Sequence, residues 1–302
     1  MSTTVTEPAS SSIVGLSLRA EPPAASSLSD LETKGYTVVS GVLSKDRAQH
    51  YVDELYAWLE SFGLGFKSND RSTWHVANVP QFEKGGLFFR HGVAHEQFVW
   101  DLRSEPAVID AFAKIWGTDE LIVSYDTVNV SLPYPKEEMD ESRTKPWPHV
   151  DQSPLRTFKH CIQGIVNLYE NGPLDGGLVV LDGSLPLFAE YFACHDAPDG
   201  GWPQADWFRH SEETLQWFYD RGCKWVKVEA QPGDLILWDS RTIHYGDAAR
   251  GDRPRMAAYV CYKPAKDISS EMLALKRDCF AEYSGTTHDP LNFRVANAKT
   301  RS

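Results

Sequence analysis

The feature that most limits how this chain can fold is a change of hydrophobic period near residue 121. Upstream, Ala48, Tyr51, Val52, Leu55, Trp58, Leu59 and Phe62 recur at helical spacing, the buried stripe of an amphipathic helix over 44–62 that Gly63 stops. Downstream, Leu121–Leu132, Cys161–Tyr169, Gly177–Leu181, Lys224–Glu229, Asp234–Trp238 and Arg255–Lys263 are short strand-like runs bounded by turn residues. Helices first and many short strands afterwards predict an α+β fold whose β half is a sandwich or barrel. The ordered part is expected to open on a short helix capped by Ser29 or Asp30 and ending at Gly35, followed by a strand Tyr36–Val39. Further helices are expected near 95–103 and 105–116, with Pro106 in a first turn, and near 212–219 and 268–283. Residues 1–27 are rich in Ser, Thr, Ala and Pro and aperiodic, which predicts a disordered tail ahead of one domain, 28–302.

Composition narrows the function. With 302 residues, 42% hydrophobic and 24% charged, the chain can bury a large core and is not a disordered, collagenous or coiled-coil protein. A formal charge of −12 argues against nucleic acid or an anionic membrane as the main partner. No apolar run reaches the ~18–20 residues of a membrane span, and the opening MSTTVTEPASSS has neither the basic start nor the apolar stretch of a secretory signal. Cys161, Cys194, Cys223, Cys261 and Cys279 are odd in number and widely spaced, as expected of reduced thiols in a cytoplasmic protein.

Most of the ten histidines can be set aside as ligands. His91 and His95 stand four apart, but Gly92 occupies the place of the glutamate a zinc-protease helix would need. No nucleophile elbow, Walker loop or dinucleotide fingerprint is present. His149-Val150-Asp151 is more informative, because in extended chain an imidazole and a carboxylate two residues apart face one point. That is half of a 2-His-1-carboxylate facial triad, which leaves open positions on an iron(II) ion. His244 lies just beyond the turn and core strand Gln231–Asp239, where a scaffold can hold a third ligand rigidly. Arg255 then opens the apolar strand Met256–Tyr262, and burying it there calls for an anionic partner. A dicarboxylate would supply one through a bidentate contact, while Arg253 and Arg255 pairing with Asp247 or Asp252 at the surface is the competing reading.

In the order of these motifs the chain resembles the phytanoyl-CoA dioxygenase-like family of iron(II)- and 2-oxoglutarate-dependent oxygenases, from about Asp30 to Pro264. The H-x-D, the strand Ile162–Tyr169, the glycine-rich Asn171–Ser184 segment, the P-G-D turn, His244 and Arg255 carry the resemblance. It implies a double-stranded β-helix of jelly-roll or cupin type, flanked by N-terminal and inserted helices. It also implies iron(II) on His149, Asp151 and His244, 2-oxoglutarate gripped by Arg255, and O2 as oxidant. The reaction implied is hydroxylation, desaturation or epoxidation of a small molecule in secondary metabolism, with loss of succinate and carbon dioxide. Asp151 stands where related halogenases lack a carboxylate, so the resemblance implies oxygenation. Val150, Gly246 and the run Asp182-Gly183-Ser184-Leu185 depart from the usual family pattern, and Asn129, Gln163 and Asn167 are candidates for the missing polar contacts to 2-oxoglutarate.

The charged, proline-flanked stretch 133–148 reads either as a mobile lid or as a plain solvated loop. Trp74, His75, Phe88, Phe89, Arg90, His91 and Trp100 are candidates for the substrate cavity. Two other classes stay open: a non-redox metal isomerase or lyase of cupin type, and a catalytically silent binding protein. Homo-oligomerisation is also left open.

Overall fold

The computed structural model describes residues 28–138 and 145–296, so the expected tail and the middle of the 133–148 loop lie outside the described residues. Helix α1 (Leu28–Lys34) leads into β1 (Tyr36–Val39), and α2 (Lys45–Glu60) follows. After several short turns come β2 (Leu87–Phe88), α3 (Gln97–Arg103) and α4 (Pro106–Trp116). The β-rich half runs through β3 (Leu121–Val123), β4 (Val128–Ser131), β5 (His149–Val150), β6 (Ile162–Asn167) and β7 (Gly177–Asp182). Helix α5 (Ser184–Cys194), β8 (Phe208–Arg209) and α6 (Glu212–Tyr219) interrupt it. Then follow β9 (Lys224–Lys227), β10 (Leu235–Asp239), β11 (His244–Asp247), β12 (Arg255–Val260) and β13 (Tyr262–Pro264). Helix α7 (Ser270–Ala281) and the pair β14 (Gly285–Thr286) and β15 (Val295–Ala296) close the described chain. Among the described residues no helix is long and apolar enough to cross a membrane.

Two antiparallel sheets dominate, one in the order β1-β10-β6-β12-β4-β2 and the other in the order β8-β5-β11-β7-β9. Alternation along each strand decides what lies on either side of the larger sheet. Leu235 and Leu237 of β10, Val166 of β6 and Met256 and Ala258 of β12 join Tyr51, Leu55, Leu102 and Phe112 of the helices in one core cluster. Ile236 and Trp238, Ile165 and Ala257 face the other way and pack with Leu178 and Val180 of β7. Strand β10 is therefore buried on both faces, which is why it reads as an unbroken apolar run. The same alternation puts Asn129, Gln163 and Arg255 on the inner face with Ile165 and Ala257. Helix α2 starts where Ser44 accepts a hydrogen bond from the Arg47 amide at 3.1 Å, as its N-cap chemistry requires.

Two strands expected to be continuous are divided. Leu121–Leu132 splits into β3 and β4, and Arg255–Lys263 into β12 and β13. The breaks are coupled: Ser124 N donates to Cys261 O at 2.9 Å, so both chains leave the large sheet together and continue as the separate β3–β13 ladder. Helix α5 was not anticipated. Its signal, Leu185, Phe188, Tyr191 and Phe192 at helical spacing, is present, but Pro186 sits within its first turn and masked the pattern. All five cysteines are free thiols.

The Pro232-Gly233-Asp234 turn fastens the N-terminal segment to this frame. Gly233 N donates to Asn167 O at 2.8 Å, Leu43 N donates to Gly233 O at 3.0 Å, and Gly41 N donates to Asp234 Oδ1 at 2.9 Å. At φ +91 a Cβ on residue 233 would lie 2.3 Å from Leu43 O. Gly233→Ala is therefore expected to lower stability by about 2–4 kcal/mol, the combined cost of a left-handed alanine and an overpacked backbone contact. Denaturant unfolding followed by circular dichroism measures it, and a change near zero would refute the close approach.

Candidate active site

Cross-strand register builds the centre of the site. His149 of β5 lies directly opposite His244 of β11, and their ring centroids are 4.3 Å apart. Asp151, two residues beyond His149, is fixed by its amide donating to Ser240 O at 2.9 Å. Its Oδ1 lies 3.5 Å from His149 Nε2 and its Oδ2 3.3 Å from His244 Nε2. His149 Nδ1 faces Trp147 O at 3.0 Å and His244 Nδ1 faces Thr242 O at 2.9 Å. A carbonyl only accepts, so each Nδ1 carries the hydrogen and each Nε2 turns its lone pair inward. The Gln163 amide donates to Asp151 Oδ2 at 2.9 Å, and Trp147 stacks on His149 with centroids 4.0 Å apart.

Burial, reinforced by His244, lowers the pKa of His149 against the pull of Asp151, which keeps the imidazole neutral. Burial alone would raise Asp151, but its histidine surroundings, His149 and His288 foremost, hold it well below the usual carboxylate range. Two imidazole nitrogens and one carboxylate converge, with the three atoms all within 4.8 Å of one another. Donors ~2.1 Å from one ion at right angles stand about 3 Å apart, so this set fits a six-coordinate transition metal with open positions.

A cavity of about 830 Å³ includes all three side chains and Arg255 in its wall. Arg255 is 6% exposed, has no carboxylate within ion-pair distance among the described residues, and its Nε lacks a hydrogen-bond partner. Surface pairing is therefore not its role. Arg253 instead pairs with Glu170 at 2.5 Å and Asp175 at 3.2 Å, while Asp247 lies 3.3 Å from Arg250.

The other expected residues divide. Gln163 and Asn129 line the cavity, Asn129 donating to Gly85 O at 2.7 Å. Asn167 does not: its amide serves Tyr169 O at 2.6 Å and Gln231 O at 3.0 Å, so it braces the P-G-D turn. Of the seven candidates from 74–100, Phe89 alone is in the wall. Trp74 packs on Tyr56 and Phe66, Phe88 meets Trp58 edge-on, His91 meets Phe62 edge-on, and Trp100 meets His95 at a tilt and Tyr125 edge-on. His75 pairs with Glu138 and Arg90 with Glu83. The apolar wall comes from Phe82, Tyr134, Trp147, Trp207 and Trp238 as well. Tyr134, Lys136 and Glu138 bring the start of the 133–148 stretch into the wall, where Glu138 also accepts from Val76 N at 2.8 Å.

Two acid–base groups in this cavity escaped the sequence reading, Asp126 and His288. Burial pushes the Asp126 carboxyl up to about 6 against the Thr127 amide, His288 and Arg103. Neither residue belongs to a motif, and His288 arrives from beyond α7. The segment carrying it is clasped by a second cluster: His160 Nε2 lies 3.0 Å from Asp289 Oδ2 and 3.6 Å from Asp206 Oδ2. Lys263 reaches Asp289 at 3.0 Å and Arg156 pairs with Asp206, so these carboxylates are already neutralised by cations.

Two facing antiparallel sheets hold a His–Asp–His cluster beside a buried arginine, and comparison with known proteins gives the family. The phytanoyl-CoA dioxygenase (PhyH) family matches residues 31–257. "Ava biosynthesis cluster protein O" of Aspergillus versicolor is 41% identical over 265 residues, covering 86% of this chain and 84% of that protein. Among solved structures, the epimerase SnoN in complex with Fe3+, alpha ketoglutarate and nogalamycin RO superimposes with TM-score 0.53 at 18% identity, covering 90% of this chain and 93% of SnoN. EctD from S. alaskensis with bound Fe gives TM-score 0.52 at 16% identity, covering 80% of this chain and 76% of EctD. The chain belongs to the phytanoyl-CoA dioxygenase family, the family its motifs resemble.

Two outcomes follow from the geometry. Gln163→Leu frees one Asp151 oxygen and is expected to weaken divalent-metal affinity about 10-fold with the fold intact, measured by competition with a chelating dye. The clasp gives a pH signature. Asp289 is held below its ordinary value, so its contribution is complete above the unfolded pKa of about 4 and is lost as pH falls. His160 is raised by Asp206 and Asp289 despite burial, so its contribution is complete below about 6.5 and is lost as pH rises through its folded value. Asp289→Asn should therefore cost about 3 kcal/mol at pH 5–6 and progressively less outside that window, as read from unfolding curves across pH.

Proposed function

We propose that the protein is an iron(II)- and 2-oxoglutarate-dependent dioxygenase that oxidises a small organic molecule of secondary metabolism, with release of succinate and carbon dioxide. One observation carries this reading: a single cavity joins the His149–Asp151–His244 cluster to a buried guanidinium, Arg255, that has no carboxylate partner among the described residues. The family match and the biosynthesis-cluster relative support it. The facing sheets are the two halves of a double-stranded β-helix, and residues from 28 onward form one catalytic domain.

His149, Asp151 and His244 would hold the iron. Iron(II) held there supplies oxygen-activating redox chemistry, with decarboxylation of the oxo acid providing electrons. Arg255 binds the far carboxylate through charge-assisted hydrogen bonds and so fixes which way the oxo acid points. Gln163 keeps the Asp151 carboxylate oriented. Asn129, whose Oδ1 is buried without a partner, offers a further polar contact to the cosubstrate. Phe82, Phe89, Tyr134 and Trp147 exclude water and leave an apolar space suited to a small organic substrate. Hydroxylation, desaturation and epoxidation all fit this arrangement, and a carboxylate at 151 disfavours halogenation.

A non-redox lyase on the same scaffold would have no use for a buried, uncompensated Arg255, and a silent binding protein no need for three oriented ligands. Anaerobic addition of iron(II) and 2-oxoglutarate should produce a weak visible charge-transfer band in wild-type protein and none in His244→Ala. Arg255→Met should raise the 2-oxoglutarate requirement about 10–100-fold, the loss of one charged hydrogen-bonded contact. A wild-type protein that loads iron without giving the band, or a band that survives His244→Ala, rejects the assignment.

A further inference from the structure

Behind Arg255 the structure holds a second cation. Lys227 is the last residue of β9, opposite Val179 of β7. Gly177, which opens β7 at φ +142, separates it from the cavity: a Cβ there would lie 2.5 Å from Asn171 Nδ2, 2.8 Å from Lys227 Nζ and 3.3 Å from Arg255 Nε. Three polar groups from three different segments thus crowd around one glycine. Among the described residues, Lys227 Nζ, Arg255 Nε and both amide atoms of Asn171 are buried without a hydrogen-bond partner, and Asn171 is only 2% exposed. Burying two cations beside each other is costly unless an anion joins them. The nearby carboxylates are engaged elsewhere, Asp175 with Arg253 and the Gly172 amide, Asp247 with Arg250.

We infer that Lys227 and Asn171 complete, with Arg255, a two-cation anion site around Gly177 that selects a 2-oxo acid with a second carboxylate. The inference rests on the oxo-acid reading above and adds a positioning residue to it. Arg255 and Gly177 form the cavity wall and meet the carboxylate, while Lys227 supplies charge from behind.

A pH dependence follows. Burial first, then Arg255, lowers Lys227 to about 7 against Asp247 and Asp175, with Arg250 adding to the depression. An arriving carboxylate stabilises the ammonium, so above pH 7 binding must take up a proton and affinity must fall as pH rises.

Calorimetric titration of nickel-substituted, full-length protein with 2-oxoglutarate at pH 6–9, in buffers of different ionisation enthalpy, reads affinity and proton uptake without turnover. Wild type should bind about 10-fold more weakly at pH 8.5 than at pH 6, with net proton uptake near pH 8. Lys227→Met should bind about 10-fold more weakly at pH 6 and lose both slope and uptake. Lys227→Arg, which keeps the charge but does not titrate, should retain the affinity and lose the slope, and it serves equally if the methionine variant does not fold. A wild-type slope and uptake surviving in either folded variant overturns the role of Lys227. No binding by wild type would instead overturn the oxo-acid reading, whereas binding abolished by Arg255→Met and untouched by Lys227→Met would sink the Lys227 role alone.

Discussion

The antiparallel pairing of β5 with β11 is the constraint on which the site depends. Side chains alternate along a strand, so a slip of one residue would turn either imidazole away from the other and leave Asp151 without both partners. Strand β5 has only two residues, too few to hold its own register. Its neighbours do so: β8 pairs along its far edge, Asp151 N reaches Ser240 O, and Val150 is buried with Ile243, Leu181, Phe188 and Phe218. The inserted helices α5 and α6 supply that cluster. The geometry of the His149–Asp151–His244 cluster is thereby tied to an apolar core that the inserted helices pack against the smaller sheet.

How much of this could be read from the sequence depends on whether a residue's role is set locally. Strand β10 was legible because burial on both faces leaves an unbroken apolar run, and α2 because burial on one face leaves a stripe. His149 and Asp151 were legible because an extended chain converts a spacing of two into a shared side. Arg255 stood out because a charge at the mouth of an apolar strand needs an explanation. The cavity wall carried no such signature. Phe82, Tyr134, Trp207 and His288 sit on loops where no period selects them, and each arrives through contacts far away in sequence. Asn167 misled for the complementary reason: it has the right type and phase on β6, but it lies at the strand end, where the carbonyls of a neighbouring turn claim its amide.

The charge distribution answers a problem that composition poses. If a chain of net charge −12 is to admit the doubly negative cosubstrate proposed for it, positive potential has to be created locally. The surface arginines nearby cannot supply it, since Arg250 and Arg253 are committed to Asp247, Glu170 and Asp175. Those same pairs remove the carboxylates that would otherwise neutralise Arg255 and Lys227. The acidic residues of the 170–175 and 247 region thus keep the anion site positive by being occupied.

Gly177 makes this arrangement sterically available. A side chain there would collide with Asn171 and Lys227, and its backbone at φ +142 is one that other residues rarely adopt. The glycine lets a guanidinium, an ammonium and an amide approach one point from three segments. The same β7 that opens on Gly177 pairs through Val180 with His244, so one strand sets the place of the distal imidazole and of the anion site. A dicarboxylate bridging the two is therefore measured against a single rigid element, and its length, not only its charge, becomes a criterion for fit.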